Sequence, residues 1–224
     1  MNIADECESL FLTKGNRENA AGMQAYMRGK FQFAGLKAGE RRMLQRTVFP
    51  PKKDVTADYL MKSIPHFWKS PLREMQYAGI ELVSRSEDVI ESDFMETAEF
   101  MITHKSWWDT VDSIASNIVG SILVDNTKMQ EYYSVKWLRT CNIWLHRAAV
   151  IFQLKYKDRT NEELLFKNIS QCLGSDEFFI NKAIGWALRQ YARTDPGSVI
   201  DFVNNHELST LSRSEALKHI DSEN

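Results

Sequence analysis

Trp144-Leu145-His146-Arg147-Ala148-Ala149-Val150-Ile151 is answered about 35 residues later by Phe179-Ile180-Asn181-Lys182-Ala183-Ile184-Gly185-Trp186. Aromatic matches aromatic at 144 and 179, and cation matches cation at 147 and 182. Ala148 and Ala183 keep the register, and Ile151 falls opposite Trp186. A period of this length belongs to helical-hairpin solenoids, in which each unit buries its apolar face only by stacking on the next. Related helix starts occur upstream at Pro71-Leu72-Arg73-Glu74-Met75-Gln76-Tyr77 and at Ser106-Trp107-Trp108. Plainer helical stretches lie between them, over 58–67, 88–104, 128–138 and 160–173. Each repeat therefore joins one strong helix to one plain helix. No window alternates with period two, so almost no sheet is expected. The predicted fold is an all-α solenoid of stacked antiparallel helix pairs, one domain over residues 1–224, curved so that the strong helices line a concave groove.

Outward from this core, Ile3, Cys7, Leu10 and Phe11 have helical spacing, and Gly15-Asn16 ends that segment. Further helices are predicted over 20–30, containing Tyr26, and over 40–48, closed by Pro50-Pro51. Ser70 before Pro71, Thr160 with Glu163, and Asp195 before Pro196 supply helix-start chemistry. Ser106 and Asp109 have capping-box spacing, which predicts a helix from there to about Gly120. Trp107, Val111, Ile114, Ala115 and Ile118 form its apolar stripe. Trp108 and Asp112, four residues apart, share another edge.

Bulk properties exclude several classes. The 224 residues are 43% hydrophobic and 26% charged, with a formal net charge of −2, which is an ordinary globular composition. No segment has the pattern of a signal peptide or membrane span, so a cytoplasmic protein is expected, with no membrane partner. Cys7, Cys141 and Cys172 are scattered, and the five histidines show no ligand spacing, so neither a disulfide framework nor a metal site is expected. A self-capped solenoid suggests a monomer.

The total charge conceals a segregation. Lys182, Trp186, Arg189 and Arg193 follow one another at intervals of four, three and four, so one helix edge reads cation, indole, cation, cation. Arg147 stands alone in an apolar run, and Lys155, Lys157 and Arg159 follow its helix. Glu87, Asp88, Glu91, Asp93, Glu96 and Glu99 make a plain helix acidic. Cations neutralise phosphates, and indoles offer flat faces to sugars or bases, so a cationic groove of this kind suits nucleic acid. The competing reading is a non-catalytic DNA-binding or protein-interaction scaffold, the commonest role of helical repeats, in which the cations are solvated faces.

The segments 105–112, 144–157 and 178–189 closely resemble the AlkD family of bacterial DNA-alkylation repair glycosylases, built from HEAT-like repeats, and the resemblance runs from about Met23 to Lys218. It implies hydrolysis of the N-glycosidic bond of cationic alkylated purines, such as 3-methyladenine and 7-methylguanine, in double-stranded DNA, without a cofactor. By position, Asp112 matches the family's catalytic carboxylate, Trp108 and Trp186 its aromatic platforms, and Arg147 its backbone-binding arginine. Tyr26 and Arg189 match positions that contact DNA near the lesion. The chain departs from the family pattern at Ala38-Gly39, where a threonine-proline helix start is usual, at His146, where arginine or glutamine is usual, and at Lys37, an uncharged polar position in some relatives.

The chemistry of the residues agrees with that implication. A cationic base is already a good leaving group, so the reaction needs help for the charge developing on the sugar rather than a general acid. A carboxylate about 4 Å from that charge interacts by roughly 4 kcal/mol at an effective dielectric of about 20. Realised only in the transition state, this is about a thousandfold in rate.

Overall fold

The computed structural model describes residues 2–218 and 220. Among them the architecture is all-α, with one isolated parallel bridge between Gln32 and Leu72 in place of any sheet. The chain forms two compact units, Met1–Thr97 and Ala98–Asn224.

In the first unit α1 (Ile3–Lys14) is capped by Asn2 and α2 (Arg17–Tyr26) by Asn16, each side chain accepting from an amide of the first turn. The second helix stops earlier than its sequence suggests, because Arg28 and Gly29 take positive φ and the Gly29 amide donates to the Gln24 carbonyl. Then follow α3 (Ala38–Val48), α4 (Ala57–Lys69) and α5 (Arg73–Ser84). α4 packs on α5, while α1 covers α3 and α4. Phe11, Leu60, Ile64, Phe67 and Met75 are fully buried at their junction. The loop before α3 is tied down by a buried acid: Glu74 accepts from the amides of Ala34 at 3.1 Å, Gly35 at 2.9 Å and Leu36 at 3.2 Å.

The expected helix over 88–104 is shorter than its composition suggests. Glu87–Val89 and Ser92–Phe94 are 3-10 turns joined by extended backbone at Ile90 and Glu91, and regular helix begins only at α6 (Met95–Thr103), in which the division between the units falls. Ile90 and Phe94 are both buried, and Ser92 and Asp93 between them hold a helix interior less well than the glutamates on either side, because their side chains compete for local backbone groups.

The second unit carries α7 (Trp108–Ser113), continued without a break by a π-helical stretch, Ile114–Val119, and by α8 (Gly120–Leu123). The expected capping box does not form. Ser106 instead donates its hydroxyl to the Ile102 carbonyl at 2.6 Å, closing α6, and the N-cap position is held by Trp107 without a side-chain cap. Three helix pairs follow in chain order: α9 (Thr127–Leu138) packs on α10 (Ile143–Ile151), α11 (Glu162–Ser170) meets α12 (Phe178–Tyr191) through the Tyr191 hydroxyl, which donates to Glu162 at 2.8 Å, and α13 (Pro196–Asn205) packs on α14 (Thr210–Leu217). Asp195 caps α13 ahead of Pro196 as expected, whereas α11 is capped by Asn161 rather than Thr160. The strong helices are neighbours, α7 against α10, α10 against α12 and α12 against α14, and α9 packs on α11 behind them. Solenoid-like stacking by repeat period is thus realised within this unit.

Candidate functional site

Because successive strong helices lie side by side, residues one period apart become neighbours. Trp107, buried on the apolar stripe of α7, meets Trp144 and Phe179 with ring centroids 5.6 and 4.8 Å away, and these two rings lie 5.1 Å apart. Rings at such separations in tilted and edge-on arrangements are favourable beyond their burial. The aromatic cluster fixes how α7, α10 and α12 meet at their N-terminal ends.

One turn further, charge replaces the rings. Arg147 grips Asp112 at both oxygens, with Nε 2.6 Å from Oδ1 and Nη2 2.7 Å from Oδ2, and its Nη1 donates to the Phe179 carbonyl. The fork-on-fork geometry fixes the carboxylate plane. The Arg147 side chain is 5% exposed and that of Asp112 16% exposed, so the acid keeps a path to solvent that its partner lacks. Burial pushes the Asp112 carboxyl above the ordinary carboxylate range, against the pull of the hydrogen-bonded Arg147 guanidinium.

Next along the row, Lys182 places Nζ 2.8 Å from Oε1 of Glu215, and Arg189 donates to the other oxygen of the same carboxylate. The hydrogen bond from Lys182 is the main cause that holds the Glu215 carboxyl below its usual range. Trp108, Arg147, Phe178, Phe179, Lys182, Trp186, Arg189 and Glu215 line a cleft of about 260 Å³. Four aromatic rings, Trp108, Phe178, Phe179 and Trp186, share this cleft with three cations and one acid, an arrangement able to hold a flat cationic heterocycle beside an anionic backbone.

Of the residues singled out in the sequence, Trp108, Asp112, Arg147, Lys182, Trp186 and Arg189 are brought together here. Lys155 lies in the turn after α10, its ammonium on the side-chain oxygen of Asn117 in the π-helical stretch. Lys157 takes a positive φ in the turn after α10 and borders a separate crevice with Gln153, Thr160 and Gln190. Arg193 is exposed just beyond the end of α12. Tyr26, 71% exposed at the end of α2, belongs to the other unit. Phe178, Phe179 and Glu215 were not singled out as site residues. The repeat carries the signal for the third of them, since one more period beyond Phe179 and Lys182 spans 214–217. Among the described residues no group of three or more histidine, cysteine or acidic side chains could hold a metal, and no helix is long and apolar enough to cross a membrane.

No curated protein is significantly similar to the chain. A solved structure described as a predicted DNA alkylation repair enzyme from Enterococcus faecalis matches it with a TM-score of 0.86 at 32% sequence identity, over 92% of this chain and 96% of that one. The family model for DNA alkylation repair enzymes matches residues 8–220. With nearly its whole length matched, the chain belongs to the DNA alkylation repair enzyme family.

Proposed function

We propose that the protein is a DNA glycosylase that hydrolyses the N-glycosidic bond of cationic alkylated purines, such as 3-methyladenine and 7-methylguanine, in duplex DNA. The observation that carries this reading is the bidentate hold of Arg147 on Asp112 beside a cleft walled by Trp108 and Trp186. In the reaction the bond between C1′ and the base nitrogen breaks, and its electron pair neutralises the base. Water adds to C1′ and loses a proton, so no cofactor enters the balance. Asp112 stabilises the positive charge that develops on the sugar and orients the water. Its attraction, roughly 4 kcal/mol at about 4 Å, is reduced by the opposing charge of Arg147, so a thousandfold is an upper bound for its contribution. The indoles add cation–π attraction of about 0.5–2 kcal/mol each to the lesion or sugar. Lys182, Arg189, Arg193, Lys155 and Lys157 contact phosphates, Tyr26 contacts DNA near the lesion, and the protein works as a monomer.

The grip on both Asp112 oxygens also favours a second reading, a non-catalytic DNA-binding protein in which the Asp112–Arg147 pair only braces α7 against α10. One assay separates the two. Duplex DNA containing 7-methylguanine is incubated with the protein and with Asp112→Asn, and free base and abasic sites are measured. The glycosylase reading expects release by the wild type, and in the variant retained binding with excision reduced by up to about a thousandfold. No release by the wild type, or equal release by the variant, overturns it.

A further inference from the structure

Glu215 sits in the cleft by construction. At Gly185, α12 and α14 approach so closely that a Cβ there would lie 2.5 Å from the Glu215 Cβ and 2.9 Å from the Ser212 carbonyl oxygen. Ser212 is fully buried at this contact and donates its hydroxyl to the Asn181 carbonyl at 2.9 Å. Lys182 and Arg189 stand three residues before and four residues after Gly185, on the same helix face. The close approach therefore seats Glu215 between two cations, one on each carboxylate oxygen. The side chains of Lys182, Arg189 and Glu215 are 37%, 23% and 19% exposed, and all three border the cleft, so an incoming anion can reach the cations.

A carboxylate that offers one oxygen to each of two cations presents what the two non-bridging oxygens of a phosphodiester would present. We propose that Glu215 is a specificity residue, a resident counter-anion that occupies the place of a DNA phosphate on Lys182 and Arg189 and holds down affinity for undamaged duplex. The proposal rests on the DNA-processing reading above. A phosphate entering the cleft meets one net positive charge from the three groups instead of two, and it must displace the carboxylate or share the cations with it. Attraction to any backbone is thereby weakened, while contacts between the aromatic walls and a cationic base are untouched. The negative charge of Glu215 also lowers the repulsion of a cationic base in the same cleft, so damaged DNA loses less affinity than undamaged DNA and the difference between them widens.

The test measures binding of a fluorescently labelled undamaged duplex by anisotropy over a series of salt concentrations. Glu215→Gln keeps the shape and removes the charge. It should bind about tenfold more tightly at low salt, with a salt slope steeper by about one unit, as one further phosphate contact requires. Glu215→Asp, which keeps the charge, should keep the wild-type slope. Wild-type slope with equal or weaker affinity in Glu215→Gln reduces Glu215 to a brace and overturns the proposal. Should that variant not fold, the double variant Lys182→Gln with Glu215→Gln decides. It removes one cation together with the resident anion, so the net charge of the cluster and the slope should stay at the wild-type values, and a slope shallower by a full unit overturns the proposal. A wild type that binds duplex with these properties but releases no base overturns the glycosylase reading and leaves this inference standing. A wild type that does not bind duplex overturns both.

Discussion

Replacing Arg147 by methionine keeps an unbranched apolar stem and removes the guanidinium. Arg147 is 4% exposed and commits three donors inside the protein, two to the Asp112 oxygens and one to the Phe179 carbonyl. Removing one member of a buried ion pair costs about 3–5 kcal/mol, because the other charge remains without compensation. Asp112 keeps a path to water, so the lower end applies, about 3 kcal/mol near pH 8. The sign of the pH dependence follows from the two opposed causes at Asp112. Loss of Arg147 removes what lowers the carboxyl pKa and leaves the burial that raises it, so the folded value moves further above the unfolded value of about 3.9. A carboxyl with a raised folded pKa carries its full penalty above that pKa, and the penalty fades as pH falls through it. Urea unfolding should therefore show Arg147→Met about 3 kcal/mol less stable than the wild type at pH 8, with part of the deficit recovered at pH 5. Adding Asp112→Asn should restore stability to the methionine variant at pH 8. A cost below about 1 kcal/mol, or one that does not shrink on acidification, would refute the view of the pair as a buried, mutually compensating unit.

Release of 7-methylguanine should fall on the acid side as Asp112 takes up its proton. Because burial raises this carboxyl, the midpoint should lie above the roughly 3.9 of an exposed aspartate. A release rate that stays level down to pH 4, after subtraction of enzyme-free depurination, counts against Asp112 as the working carboxylate. At the α12–α14 contact, Gly185→Ala forces a Cβ against Glu215 and Ser212 and should cost about 1–3 kcal/mol, whereas Gly22→Ala, in α2 with nothing within 4 Å of the new carbon, should stabilise by about 0.5–1 kcal/mol. Opposite shifts in thermal unfolding check the pair, and a neutral Gly185→Ala would mean that the two helices can separate at little cost.

What the sequence discloses about the site follows from the repeat. Neighbouring strong helices lie in register, so residues one period apart become neighbours, and Arg147 lies 35 residues from Asp112. The period places Trp144 beside Phe179 and explains why Asp112 meets Arg147, a pairing that the sequence, with Arg147 matched to a backbone-binding position, does not announce. The helix starts are less legible where side chains compete locally. Ser106 has the spacing of a cap, but a carbonyl at the end of α6 lies closer to its hydroxyl. The π-helical stretch after Ser113 is likewise invisible, because the apolar positions of α7 and its continuation keep ordinary helical spacing over its first turns.

The pairing of Lys182 and Arg189 escapes the sequence for a different reason, and that reason bears on function. Their stripe reads as a row of cations with nothing acidic in the same helix, which is the pattern of a surface waiting for phosphates. Their partner comes from the next repeat, 33 residues after Lys182 and 26 after Arg189, and reaches both only because Gly185 has no side chain to hold α14 away. A repeat protein can thus set the net charge of its working face from a position that its own stripe does not contain. A cationic stripe on one helix therefore measures attraction for DNA only after the acids contributed by the next repeat have been counted.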